Sequence, residues 1–268
     1  MNTQTNTEAR KLMRLGRDAV LQGLPVPTNE PPWIGAGLLM FHKLRDSNDS
    51  RGASDAASIA LDLLEATMSK RTTRQPIACA RGCSYCCKST AVSVTAPEAF
   101  RLARWLRQNA NTSRPELAID AVLARIDQRA ELSLDALLQQ RLPCVLLIDD
   151  ACGVYSARPS NCRRLLSSSV EACKADYEGV PVRIPVIDEA MQKGTHIRAL
   201  LLAAVAAAGL STMSYELSEV LAVALRDANS EQRWLAGEDV FADVARRQEL
   251  GTMQSAVDHW SSRIKRVA

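Results

Sequence analysis

Cysteine is missing from the first 78 and the last 95 residues of this 268-residue chain; all eight cysteines fall between Cys79 and Cys173. Thiols that served only as small buried hydrophobes would be scattered along the sequence, so the confinement argues for a site. Long apolar runs are also missing. The longest, from Ala199 to Leu210, follows His196 and Arg198 closely and is too short to cross a bilayer, so no membrane span is expected. The amino-terminal MNTQTNTEARKLMRLGRDAV has no apolar core ahead of a small-residue cleavage site. No secretory signal is expected, and the expected compartment is cytoplasmic. Thiols stay reduced there, which points clustered cysteines toward metal or redox chemistry and away from structural disulfides.

Charge of one sign is not concentrated anywhere. The chain has 33 basic and 30 acidic residues, divided as 10 against 8 over residues 1–78, 12 against 9 over 79–173 and 11 against 13 thereafter. A protein that lives on phosphate contacts normally shows a basic stripe or tail, so nucleic acid is disfavoured as a partner. There is no GxGxxG, Walker loop or GxSxG pattern, which leaves nucleotide cofactors and a serine nucleophile without support. His42, His196 and His259 are far apart and lack a two-histidine spacing such as HExxH, so each is read as a surface or packed residue. Internal repeats and low-complexity tracts are absent.

What is present is enough apolar material for a core, with 47% hydrophobic residues, so folding does not depend on cross-links. The expected class is mainly α: a helical protein with an irregular cysteine-rich metal-binding segment and at most a few short strands. Three regions are expected, a helical 1–78, a cysteine-cluster domain at 79–173 and a helical 174–268. Leu12, Leu15 and Ala19 mark one helical face, and Ala57, Ala60, Leu61, Leu64 and Met68 mark another. Between them Leu24 to Trp33, LPVPTNEPPW, is expected to be a loop because proline lacks an amide donor. Ala91 to Val94 is a short strand candidate, and Thr95 to Glu98, TAPE, is a capping box opening a helix through about Gln108. Pro115 suits the first turn of the next helix, with Ile119, Val122, Leu123 and Ile126 on its buried face and Pro143 ending it. Further helices are expected near 188–208, 213–228 and 238–264, the middle one buried along Met213, Leu217, Val220, Leu221 and Ala224. Helices therefore separate two groups of cysteines, and an antiparallel helical pair is expected to bring the groups together.

The first group reads CARGCSYCC and contains Cys79, Cys83, Cys86 and Cys87. Short gaps let one turn present several sulfurs at low closure entropy, and Gly82 permits a tight bend. Thiolates are soft ligands that suit zinc or an iron–sulfur cluster, whereas calcium and magnesium prefer oxygen. Adjacent Cys86 and Cys87 would point to opposite sides of an extended segment and so could serve different centres. Eight thiols can make two four-cysteine sites, or one site of four with supporting thiols, and the sequence does not assign them. The second group is Cys144, Cys152, Cys162 and Cys173. Asp149 and Asp150 lie between its first two members, where aspartate favours a turn through local hydrogen bonds.

Taken together, CARGCSYCC and the segment CVLLIDDACGVYSARPSNCRRLLSSSVEAC resemble the CxxCxxCC family of zinc- or iron-chelating proteins, also called YkgJ-like cysteine-cluster proteins. The recurring second half corresponds here to Cys144, the acidic turn at Asp149 and Asp150, Cys152 with Tyr155, Arg158 and Pro159, Cys162 and Arg163, and Cys173. The first gap holds three residues where the family name specifies two. The resemblance implies metal binding. A related cysteine region in flagellin lysine N-methylases, which look like iron–sulfur enzymes, adds methyl transfer as an alternative reading.

Four thiolates around zinc, or around an oxidised four-iron cluster, leave a net charge of about −2. Arg81, Lys88, Arg158, Arg163, Arg164 and Lys174 are placed in sequence to offset it. Arg158 and Arg163 bracket Cys162 and are the expected supports of the centre, through hydrogen bonds to sulfur or to neighbouring carbonyls. Two functional classes remain open. One is an iron–sulfur or zinc protein with a redox, electron-transfer or unidentified catalytic role. The other is a non-enzymatic interaction protein in which structural zinc staples the segment and the helices bind a protein partner. The absence of a ligand histidine favours the iron–sulfur reading, and a full set of thiols favours an electron-transfer or structural role over Lewis-acid catalysis.

Because metal binding and folding are coupled, Cys83→Ser, Cys87→Ser and Cys162→Ser are each expected to lower metal content and thermal stability. Unchanged metal analysis and unfolding in all three would remove these residues from the ligand set.

Overall fold

A computed structural model describes residues 31–46, 50–68, 75–88, 91–109, 114–130, 132–245 and 247–268. The helix expected around Leu12, Leu15 and Ala19 lies outside them, as does most of the LPVPTNEPPW stretch. Helices hold 61% of the described residues and strands 6%, so the fold is mainly α.

The centre of the fold is α8 (Asp188–Ala207). Every residue from Ile197 to Val205 is buried, because α1 (Pro31–Arg45), α2 (Gly52–Thr67) and α11 (Gln254–Val267) pack around it. A helix apolar on all faces needs such a jacket, and the run Ala199 to Leu210 is thus largely core. α3 (Ala96–Asn109) lies on α2 and on α9 (Leu217–Arg226). Its Phe100 joins Trp234 of α10 (Ser230–Leu235) and Phe241 at ring separations of 5.7 and 5.3 Å. Two small antiparallel sheets complete the framework. In one, β1 (Ser93–Thr95) pairs with β4 (Ser214–Glu216), which pairs with β5 (Arg247–Gln248). The other is the hairpin β2 (Leu147–Ile148) and β3 (Ala151–Cys152).

Several expected elements are present where periodicity placed them. α2 buries Ala57, Ala60, Leu61 and Leu64. The capping box forms, with the Thr95 amide and hydroxyl each donating to Glu98 Oε2 at 2.9 Å. Other boundaries differ. α1 begins at Pro31, so the expected loop does not extend to Trp33; proline is tolerated in a first turn, where the amide has no intrahelical acceptor. The strand is Ser93–Thr95 and not 91–94. After the single turn at Pro115–Leu117, α4 (Ile119–Asp127) stops well before Pro143, and the separate short α5 (Leu134–Gln139) follows. Residues 213–228 divide into β4 and α9, and the last helix starts at Gln254, not 238. α3 and α4 each pack on α9, so a third helix mediates the return that a simple antiparallel pair was expected to make.

α1 and α2 approach closely at Gly52, where an added Cβ would overlap the Lys43 carbonyl. Backbone cannot step aside as a flexible side chain does. Gly52→Ala is therefore expected to destabilise the protein by about 1–3 kcal/mol, the usual penalty of overpacking; an unfolding midpoint equal to that of the parent would show that the helices part freely.

Candidate metal centre

The first cysteine group is shaped by two tight turns. Gly82 takes φ 95° and the Cys83 amide donates to the Ala80 carbonyl at 3.1 Å. A short 3-10 turn, Tyr85–Lys88, then carries Cys86 and Cys87. This turn corrects the expectation for that pair: the segment is not extended, both residues line one cavity, and their thiols share a hydrogen bond.

The second group arrives by three routes. The Cys144 amide donates to the Cys87 carbonyl at 2.7 Å, which stitches the groups together. Asp149 and Asp150, at φ 47° and 57°, make the two-residue turn of the β2–β3 hairpin that presents Cys152. Aspartate tolerates this left-handed backbone better than most residues, and Asp150 also pairs with Lys88 at 2.8 Å. Cys162 sits on α6 (Ser160–Arg164), and Cys173 on α7 (Val170–Tyr177), which packs on the Tyr85–Lys88 turn. Cys79 is fixed from the other side, its Sγ accepting from the Ser167 amide at 3.2 Å while the Ala78 amide donates to the Ser167 carbonyl at 3.0 Å.

Seven thiols, Cys79, Cys83, Cys86, Cys87, Cys144, Cys152 and Cys162, line a single cavity of about 260 Å³. Cys173 stands outside that lining, with its charge felt by Cys79 and Cys83. All eight cysteines are free, and Cys86 is the exposed one. Among the described residues no histidine or carboxylate lines the cavity, so the donor set is soft and fits zinc or iron in preference to calcium or magnesium. Among the described residues no group of three or more His, Cys, Asp or Glu side chains is close enough to hold one metal ion; the thiols are distributed around the wall.

Burial makes ionisation of this wall costly. It pushes Cys144 up to about 11 and raises Cys162 well above the ordinary thiol range, and repulsion from neighbouring thiolates adds to the rise in both cases. Cys79, Cys83 and Cys152 rise for the same leading reason. In the hydrogen-bonded pair, the Cys87 thiol donates to Cys86, lowering Cys86 to about 6 and raising Cys87. Arg158 is the wall cation whose charge reaches the thiols. Its guanidinium stacks on the Tyr155 ring at 3.6 Å from the centroid, its Nε donates to the Tyr155 carbonyl, and its charge favours the thiolates of Cys86, Cys152 and Cys162.

The remaining basic residues divide by location. Arg163 does not line the cavity; it donates to the carbonyls of Arg158 at 2.8 Å and Ser156 at 2.6 Å and pairs with Glu65. It thereby braces the loop that carries Arg158. Arg164 lines the wall while donating to Asn161 and Thr195. Arg81 lies 5.8 Å from the Tyr155 ring centre, and Lys174 is exposed beside Glu178. None of the three histidines lines the cavity. Sequence reasoning missed Glu98 and Arg198, a buried ion pair with 2% and 3% exposure beside α6; the TAPE motif marked Glu98 only as a helix cap.

A helical scaffold that closes seven thiols around one cavity supplies the soft donors that a cysteine-cluster metal-binding domain uses. Residues 78–179 match the CxxCxxCC family model, described as a putative zinc- or iron-chelating domain. No curated protein and no solved structure matches the chain. Among the described residues no helix is long and apolar enough to cross a membrane.

The raised thiols fix a pH dependence for the metal-free protein. A group whose folded pKa exceeds its unfolded value keeps its proton in the fold while the unfolded chain loses it, so stability falls as pH rises between the two values. For Cys144 that window runs from about 9 to about 11. Cys86, already ionised in both states there, does not oppose the trend. Thermal unfolding of chelator-treated, reduced protein is expected to weaken across this window, and a flat profile would show that the thiols are not crowded in a poorly solvated wall.

Proposed function

We propose that residues 79–173 bind an iron–sulfur cluster of the four-iron type, and that the protein uses it in electron transfer or redox sensing, with 1–78 and 174–268 as helical flanks. The observation that carries this reading is the cavity of about 260 Å³ with seven thiols in its wall. A lone zinc ion calls for four ligands converging at about 2.3 Å, whereas a cluster is itself extended and takes its thiolates from several sides. The seven thiols on several sides of one cavity support the extended centre.

We take Cys87, Cys144, Cys152 and Cys162 as one candidate ligand set: Cys87 meets Cys144 through the backbone and feels Cys144 and Cys162, Cys162 feels Cys144 and Cys152, and Cys86 is felt by Cys87, Cys152 and Cys162 as well. Cys79, Cys83, Cys86 and Cys173 are the further candidates. When bound, the cluster supplies a one-electron couple. Arg158 would favour its reduced form by adding positive charge at the wall, and Arg163 would hold Arg158 in register. A cytoplasmic setting keeps such thiols reduced. A redox partner protein would approach from the side of Cys86, the exposed cysteine.

Anaerobic purification followed by absorption spectroscopy and analysis of iron, zinc and acid-labile sulfide tests the assignment. The expected product is brown and contains iron and sulfide in comparable amounts. A colourless protein with stoichiometric zinc would overturn the iron–sulfur reading and favour a structural staple for an interaction surface.

A further inference from the structure

The Glu98–Arg198 pair joins residues 100 positions apart at 2.9 Å in the interior. Ion pairs so buried are weak devices for stability, since desolvation of the two charges offsets their attraction and an apolar pair often serves as well. What this pair does that an apolar one cannot is accept amides. Glu98 Oε2 receives Arg198 together with the Thr95 amide and hydroxyl. Its other oxygen, Oε1, receives the Ser160 amide at 2.6 Å.

Ser160 is the first residue of α6, whose third residue is Cys162. At five residues α6 is too short to hold its own geometry. Its N-cap is Pro159, which offers no side-chain acceptor, so the first amide would be an orphan without Glu98. The rest of the anchorage follows the same direction. Asn161 Nδ2 donates to the Ser93 carbonyl at 2.5 Å, and Arg198 Nη2 donates to Ser214 Oγ at 2.8 Å, so the clasp is tied to β1 and β4. Gly194 of α8 lets Arg164 pack directly against the helix, since an added Cβ would overlap the Arg164 side chain.

We infer that Glu98, held by Arg198 from outside the matched domain, is a positioning residue for Cys162: by accepting the Ser160 amide it fixes the start of α6 and hence the place where the Cys162 thiol enters the cavity wall. Its consequence for metal rests on the proposed function, but its geometry does not.

Ser160→Pro in the full chain isolates the interaction. Proline suits the first position of a helix, and Pro159 already has an extended backbone (φ −62°, ψ 165°) compatible with a following proline. The substitution removes the amide that Glu98 accepts and leaves the ion pair intact; Ser160→Ala controls for the hydroxyl. Glu98→Leu/Arg198→Met removes the acceptor and both charges together, and serves if Ser160→Pro does not fold. The primary readout is the alkylation rate of Cys162 by iodoacetamide in reduced, chelator-treated protein, resolved by peptide mass spectrometry against Cys79. Loss of the clasp is expected to speed Cys162 about tenfold relative to Ser160→Ala, the factor corresponding to one hydrogen bond to a charged group, with Cys79 unchanged. Metal loss to a chelator from loaded protein should accelerate in the same variants. A Cys162 rate equal to that of Ser160→Ala in the variants that fold would overturn the inference. Metal-free parent protein with the alkylation pattern intact would instead reject the iron–sulfur reading and leave the positioning role standing.

Discussion

One buried carboxylate, Glu98, sets the relation between the helical scaffold and the cysteine segment. It caps α3, receives the backbone of α6 and pairs with α8, so three parts of the chain meet at two oxygens. Burial alone would push its pKa up; Arg198 and the hydrogen bonds from Ser160 and Thr95 outweigh that and hold it below the ordinary carboxylate range. The carboxylate is therefore ionised wherever the protein folds at neutral pH, and every donor around it has a fixed acceptor. Its partner Arg198 lies in the unbroken buried run Ile197–Val205 of α8. The position of Cys162 thus rests on the hydrophobic core.

The thiol wall presents the opposite electrostatic condition. Buried thiols are raised toward the neutral form, and a thiolate formed at one position makes the next harder to form. A thiophilic cation reverses the balance, because binding replaces the protons and the metal charge offsets the sulfurs. Among the described residues Arg158 is felt by three of the thiols and Arg129 by Cys144, too little to stabilise seven thiolates together. The pattern is that of a site whose charge is completed by what it binds, and it agrees with the zinc- or iron-chelating family matched by residues 78–179.

Much of this was legible in the amino-acid order. The buried stripe of α2 repeats at helical spacing, the TAPE sequence specifies a cap through side-chain chemistry within four residues, and paired aspartates suit the left-handed turn that aims Cys152. Confinement of the cysteines signalled a shared site before any geometry was known, and the structure brings seven of them to one cavity. What local pattern did not encode was depth and pairing at long range. Pro31 looks like a helix breaker but stands in a first turn, and the 213–228 stripe contains a strand because Ser214–Glu216 finds β1, which no periodicity announces. Cys86 and Cys87 would diverge in an extended chain; a 3-10 turn places both on the cavity. Arg163 reads as a neighbour of Cys162, yet its acceptors are two carbonyls and Glu65, the latter 98 residues away.

X-ray absorption at the metal edge of the loaded, anaerobically prepared protein tests the central claim most directly, because it counts the atoms that touch the metal. The account predicts a coordination shell of sulfur alone, at about 2.3 Å, together with a metal–metal distance if the centre is a cluster. A shell containing nitrogen or oxygen ligands from the protein would contradict a centre held by this cysteine wall.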